Sequence, residues 1–184
     1  MGASQDPSVY GPALIGLTEL YMRAGQPAEA VKTASKFVED RGLKGDPRRL
    51  RVMLLLGEAY HKSGDDKNGL LTYMNLYGQN RGNIAYSAPA CKAMMEILWE
   101  RNAPSQGDRM KGTFKASDRW TAWNTGQNYV TLIKNSGIDK KMKAAERDEF
   151  NKVLADVSKY AADAAVQQED KANKDFQRKV KAKK

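Results

Sequence analysis

Apolar residues recur along the chain at three- and four-residue steps, the spacing that places them on one face of an α-helix. The first stretch, about residues 8–24, gathers Leu14, Leu17, Leu20 and Tyr21 and stops at Gly25. The second, about 27–41, opens on Pro27, carries Ala30, Val31, Ala34, Phe37 and Val38, and ends at Gly42. A third starts near Asp46-Pro47, a cap followed by a first-turn proline, and runs through Leu50, Met53, Leu56, Ala59 and Tyr60 to Gly64. A fourth spans about 66–80 (Leu70, Tyr73, Leu76, Tyr77), and a fifth about 87–101 (Met94, Met95, Leu98, Trp99) with Pro89 in its first turn. Residues 102–116 read as a long loop. The sixth helix begins at a Ser117 cap and reaches about Asn135 on Trp120, Trp123, Val130 and Ile133. The seventh is expected as one long helix over about 139–175, carrying Phe150, Val153, Val157, Tyr160 and Ala164. No alternating Val/Ile/Thr run argues for a strand.

The first, third and fifth stretches superpose under one constant shift of 39 residues. Tyr21, Tyr60 and Trp99 fall in register, as do Leu17, Leu56 and Met95, and Leu20, Ala59 and Leu98. The second and fourth follow the same shift: Ala30 meets Gly69, Ala34 meets Tyr73, Phe37 meets Leu76 and Val38 meets Tyr77. A single helical hairpin cannot bury its own apolar face, whereas stacked copies cover one another, and a fixed period of this length is the mark of such stacking.

These residues resemble the tetratricopeptide repeat (TPR) family. Leu56-Gly57-Glu58-Ala59-Tyr60 matches its first-helix motif, with Gly64 at the turn, Gly69 in the small position and Tyr73 in the bulky one. Leu17-Thr18-Glu19-Leu20-Tyr21 with Gly25 and Ala30 matches with Thr for Gly, and the copy from Met95 to Trp99 has lost the Gly. The family unit is shorter; loops 42–47 and 81–86 lengthen it here. The resemblance covers about residues 10–101, extending to 135 if the sixth helix completes a third pair. It implies an all-α fold, a right-handed α-α superhelix of about three TPR-like hairpins plus a long C-terminal helix. The expected organisation is a disordered N-terminus over 1–7, a repeat domain over 8–137, a capping helix over 138–166 and a basic, frayed tail over 167–184.

In such a stack the first helices line a concave, peptide-binding groove. Four rows would face it: Ile15, Leu54 and Ala93; Glu19, Glu58 and Ile97; Met22, His61 and Glu100; and Arg23, Lys62 and Arg101. The aligned cations would engage a carboxylate on a partner, or stand solvated where helix C-termini favour positive charge. The Lys/Asn clamp with which some family members grip C-terminal carboxylates is missing, since Ile15, Glu19, Ala90 and Met94 occupy its positions. A helix or extended apolar peptide is the expected guest. Trp120 and Trp123 read either as a stacking site or as core that closes the end of the stack.

Composition narrows the chemistry. The chain has 184 residues, with a single cysteine (Cys91) and a single histidine (His61). One of each excludes a disulfide framework and His- or Cys-rich metal sites. Glu58-x-x-His61 occurs once, where a di-iron bundle needs two such motifs and further carboxylates. No phosphate-binding glycine loop, nucleophile elbow or HExxH pair occurs. The expectation is a protein without catalytic, cofactor-binding or metal-binding residues. The longest apolar run, Val52 to Leu56, is far below the roughly 20 residues a membrane helix needs, and MGASQDPSVYG shows no signal-peptide pattern.

The net charge is +9, with 31 Lys and Arg against 22 Asp and Glu. Seven of those cations lie in 167–184 beside three acids. That basic tail, together with Arg109, Lys111 and Lys115 of the loop, keeps a nucleic-acid-associated role open through counterion release. A self-assembling module of an envelope or secretion assembly, and hence a homo-oligomer, is a third reading. The leading expectation is a noncatalytic scaffold that binds a protein or peptide partner.

Overall fold

Two turns with the same backbone set the first half of the molecule. A computed structural model describes residues 6–182, and its packing divides the chain into a first unit, residues 1–90, and a second, residues 91–184. Among the described residues the regular structure is helical, apart from one isolated antiparallel bridge between Gln106 and Lys115. Of the stretch expected to be disordered, residues 1–5 lie outside the described residues; Asp6 and Pro7 start the first helix.

In the first unit, α1 (Pro7–Arg23) and α2 (Pro27–Glu39) form one hairpin, and α3 (Arg49–Lys62) and α4 (Asp66–Gln79) form the next. The Gln26 N–H donates to the Tyr21 carbonyl at 2.9 Å, and 39 residues later Asp65 donates to Tyr60, also at 2.9 Å. Between them Gly25 and Gly64 sit at φ +68° and +83°, the left-handed region a glycine enters without a Cβ clash. This 6→1 closure satisfies the orphan carbonyls at each helix end. Helix α2 packs on both α1 and α3. Its Ala34 and Phe37 join Ile15, Leu43, Val52 and Leu56 in one buried cluster, with Val31 and Val38 packed against it. Burying Phe37 completely contributes about 2–3 kcal/mol by apolar area alone. Tyr10 donates to Asp40, tying α1 to the loop after α2; sharing its proton with that carboxylate pushes the Tyr10 phenol up to about 12.

The hairpins solve the same packing problem with opposite choices. In the second, a Cβ on Gly57 would stand 2.6 Å from the Tyr73 ring, so the ring fills the space that glycine leaves. In the first, the equivalent positions hold Thr18 and Ala34, both fully buried, with the Thr18 hydroxyl donating to the Leu14 carbonyl at 2.8 Å. Large and small have changed sides.

Helix α5 (Ile84–Arg101) begins three residues earlier than expected, which puts Pro89 inside it rather than in its first turn. In the second unit its later residues meet α6 (Asp118–Asn135) through Met95 and α7 (Ala144–Ala161) through Trp99, and α8 (Ala164–Lys181) packs on α6 and α7. A Cβ on Gly126 would lie 2.6 Å from the Met95 sulfur and 2.5 Å from a Val157 methyl, so this glycine lets α6 approach both neighbours. Trp99 stacks flat on Tyr160 at 3.8 Å, and burial pushes the Tyr160 phenol up to about 12.

Two expectations need correction. The stripe that α1 buries is Gly11, Ile15 and Thr18; Leu17 and Leu20 are 39% and 59% exposed. The single seventh helix is two: the Asp163 carboxylate accepts from the Ala165 and Val166 N–H groups, so a fresh N-cap starts α8 and breaks the run. Helix α8 runs to Lys181, through most of the stretch expected to be a basic, frayed tail.

Candidate functional site

The residues expected to line a groove divide between the two units. On neighbouring helices α1 and α3 of the first unit stand Glu19, Met22 and Arg23 and, one repeat on, Glu58, His61 and Lys62, with Leu54 on the same helix. Glu19 accepts from Arg51, which bridges the two helices. Glu58 pairs with Lys62 at 2.7 Å one turn along, and this exposed pair is worth a few tenths of a kcal/mol. Met22, Leu54 and Glu58 are half-buried, while Arg23 and Lys62 are exposed. Ile15 does not belong to this surface: it is 7% exposed and sits in the core cluster.

His61 meets Asp66, its Nδ1 2.7 Å from the carboxylate oxygen. Asp65, four residues from His61 in sequence, instead caps α4 by accepting from the Asn68 N–H, and that bond holds its carboxyl below the usual range. The histidine therefore ties the end of α3 to the start of α4.

In the second unit Ile97 is 2% exposed and is core. Arg101 makes a two-pronged contact with Asp118, at 2.5 and 2.8 Å, and Asp118 also accepts from the Ala103 N–H at 3.0 Å. The Arg101 guanidinium holds the buried Asp118 carboxyl below its ordinary value. Arg101 thus fastens the loop after α5 to the first turn of α6, while Glu100 is exposed. Trp120 and Trp123 are half-buried and tilted, with ring centres 6.4 Å apart.

A cleft of about 500 Å³ lies in the same unit, lined by Asn102, Pro104, Arg109, Ser117, Arg119 and Glu169 among others. Its charges answer one another. Glu169 accepts from the Ser117 N–H at 3.1 Å and from its hydroxyl at 2.5 Å, with Arg109 3.6 Å away. Arg119 donates to Asp163 at 2.9 Å and lies 5.0 Å over the Trp99 ring. Arg109 covers the Phe114 ring at 3.8 Å, so it is engaged inside the protein, whereas Lys111 and Lys115 of the same loop are exposed. Ser117 and Glu169 are 52 residues apart, and no local pattern announces their meeting.

Burial pushes the Cys91 thiol up to about 12, the direction expected of a cysteine packed in apolar surroundings. No group of three potential metal-ligating side chains gathers among the described residues. No described helix is long and apolar enough to cross a membrane. The chain matches no family model, and neither a curated protein nor a solved structure is significantly similar to it.

Proposed function

We propose that this protein is a noncatalytic interaction scaffold of the TPR kind, which holds a helical or extended segment of a protein partner along α1 and α3. The observation that supports this reading most is the pair of turns, Tyr21 to Gln26 and Tyr60 to Asp65, closed by the same hydrogen bonds at the repeat distance. Repeated bricks bring equivalent side chains of successive first helices side by side, and such rows are what a linear guest reads. The guest surface comprises Met22 and Leu54 as apolar contacts, flanked by Glu19, Glu58 and His61, with Arg23 and Lys62 at the helix ends. Its chemistry favours an amphipathic segment with an acidic end. Arg101 and Glu100 belong to the other unit and are left out of this surface.

Binding to an array of overlapping peptides from the source proteome tests the reading, with Glu58→Lys, Lys62→Glu and the double exchange as probes. The double exchange keeps the intrahelical pair but inverts the pattern a guest meets. Selected peptides are expected to lose at least about tenfold in affinity with either single variant and not to recover with the double, since each such contact is worth about 1.4 kcal/mol or more when desolvated. Affinities unchanged in all three would overturn it.

The continuous helix α8 favours a second reading. Lys171, Lys174, Arg178 and Lys181 recur on it at three- and four-residue steps, a basic stripe suited to phosphates. Lys174 and Arg178 face Asp170 and Asp175 at 2.5 and 3.6 Å, which reduces that attraction. Binding of random oligonucleotides that falls steeply with salt would favour this alternative.

A further inference from the structure

Helix α1 is apolar on two opposite sides. One side packs inward through Gly11, Ile15 and Thr18. The other presents Val9, Pro12, Ala13, Gly16, Leu17 and Leu20, all of them exposed, with Val9 reaching 69% and Leu20 59%. No charged side chain interrupts this second stripe before Arg23, although the protein carries +9 and the outer positions of α2 include Lys32, Lys36 and Glu39. One repeat on, the equivalents of Ala13, Leu17 and Leu20 are Val52, Leu56 and Ala59, and these are 0, 5 and 0% exposed because α2 packs against α3. The bare side of α1 is thus a surface that the fold covers with a helix elsewhere in the same unit.

We infer that a second copy of the chain covers it, through antiparallel pairing of the two α1 helices about a twofold axis. The stripe is complementary to itself in that direction. If Leu20 of one copy meets Val9 of the other, Leu17 meets Pro12, Gly16 meets Ala13, and Arg23 meets Asp6. The bulky residues lie in the C-terminal half and the smaller ones in the N-terminal half, so each large side chain faces a smaller one, and Gly16 against Ala13 lets the backbones approach. A Cβ on Gly16 would touch nothing within 4 Å in the single chain, so that space is open for a partner. The ends are complementary in charge as well. Arg23 is exposed, and Asp6 carries a carboxylate whose bond from the Ser8 N–H holds its pKa below the usual range. A twofold axis makes the contact closed, so two copies satisfy it and no filament follows. One helix pair buries less than the roughly 1,200 Å² of a standard stable interface, so the dimer is concentration-dependent.

Sedimentation equilibrium from about 10 to 500 μM brackets such an interface. The weight-average mass is expected to climb from 20.5 kDa toward twice that value. Leu20→Glu, at a position that carries no core contact, is expected to hold the mass at the monomer with an unchanged helical circular dichroism spectrum. Met74→Glu, at an equally exposed apolar residue of α4 (56%), is expected to leave association as it was. Register is read by oxidising Val9→Cys and Leu20→Cys variants separately and mixed. The native Cys91 is buried, and only the mixture should cross-link in high yield. A parent chain monomeric throughout, a Leu20→Glu variant that associates equally well, or single variants that cross-link as readily as the mixture would each contradict the antiparallel α1 pair.

Discussion

The first two hairpins share a turn and differ in what fills them. At the turn the closing backbone bonds are repeated, Gly25 to Met22 and Gln26 to Tyr21 matching Gly64 to His61 and Asp65 to Tyr60, because the 6→1 closure needs one residue beyond φ 0° and both copies supply glycine. At the crossing the first hairpin uses Thr18 with Ala34 and the second Gly57 with Tyr73. What the repeat conserves is therefore backbone geometry, while the helix that supplies the larger side chain is free to change. Close-packed interiors tolerate such exchanges when neighbouring side chains repack around them.

That comparison can be broken most forcefully at Tyr73. Tyr73→Ala leaves the hole beside Gly57 empty and is expected to cost about 3–5 kcal/mol by urea unfolding. The equivalent residue of the first hairpin is Ala34, itself fully buried. In the second unit the contact most exposed to test is Arg101 with Asp118. Asp118→Asn is expected to cost about 1.5–3 kcal/mol, the range for hydrogen bonds to a charged group. Its pH signature has a definite sign. The folded carboxyl is held below its unfolded value, so its contribution is complete above about pH 4 and disappears as the pH falls through the lower, folded value. The parent chain should lose that part of its stability on acidification, and the asparagine variant should show a flatter profile below pH 4. The smallest effects belong to the turns. A Cβ at Gly25 or Gly64 meets nothing within 4 Å, so alanine there costs only the left-handed backbone, about 1 kcal/mol and equal in the two copies. Unequal losses would show that the turns are not equivalent.

Much of this architecture is legible along the chain. Gly25 and Gly64 announce the turns, Ser117 announces the start of α6, and the repeat is visible in the shift that aligns Tyr21 with Tyr60. Helix α1 misleads because it is apolar on two sides: periodicity alone cannot choose between Leu17 with Leu20 and Ile15 with Thr18, and only α2 lying against the latter decides. The break before α8 has no glycine or proline. Its one local sign is Asp163, which is indistinguishable in sequence from a solvated acid until its side chain turns to the Ala165 and Val166 N–H groups. Ile15 and Ile97 fall among expected groove residues yet are core, because a row drawn from one helix says nothing of the rotation of the next. The cleft around Arg109, Arg119 and Glu169 joins segments about fifty residues apart, and only the folded chain brings them together.

The claim beneath all of this is that the two hairpins are interchangeable bricks. It is tested most directly by giving the second hairpin the packing pair of the first, as Gly57→Thr with Tyr73→Ala, and measuring its unfolding free energy beside each single variant. Gly57→Thr alone forces a side chain into the Tyr73 ring and is expected to cost about 1–3 kcal/mol. If the bricks are equivalent, the double variant recovers at least half of the summed losses. Strictly additive losses would contradict it.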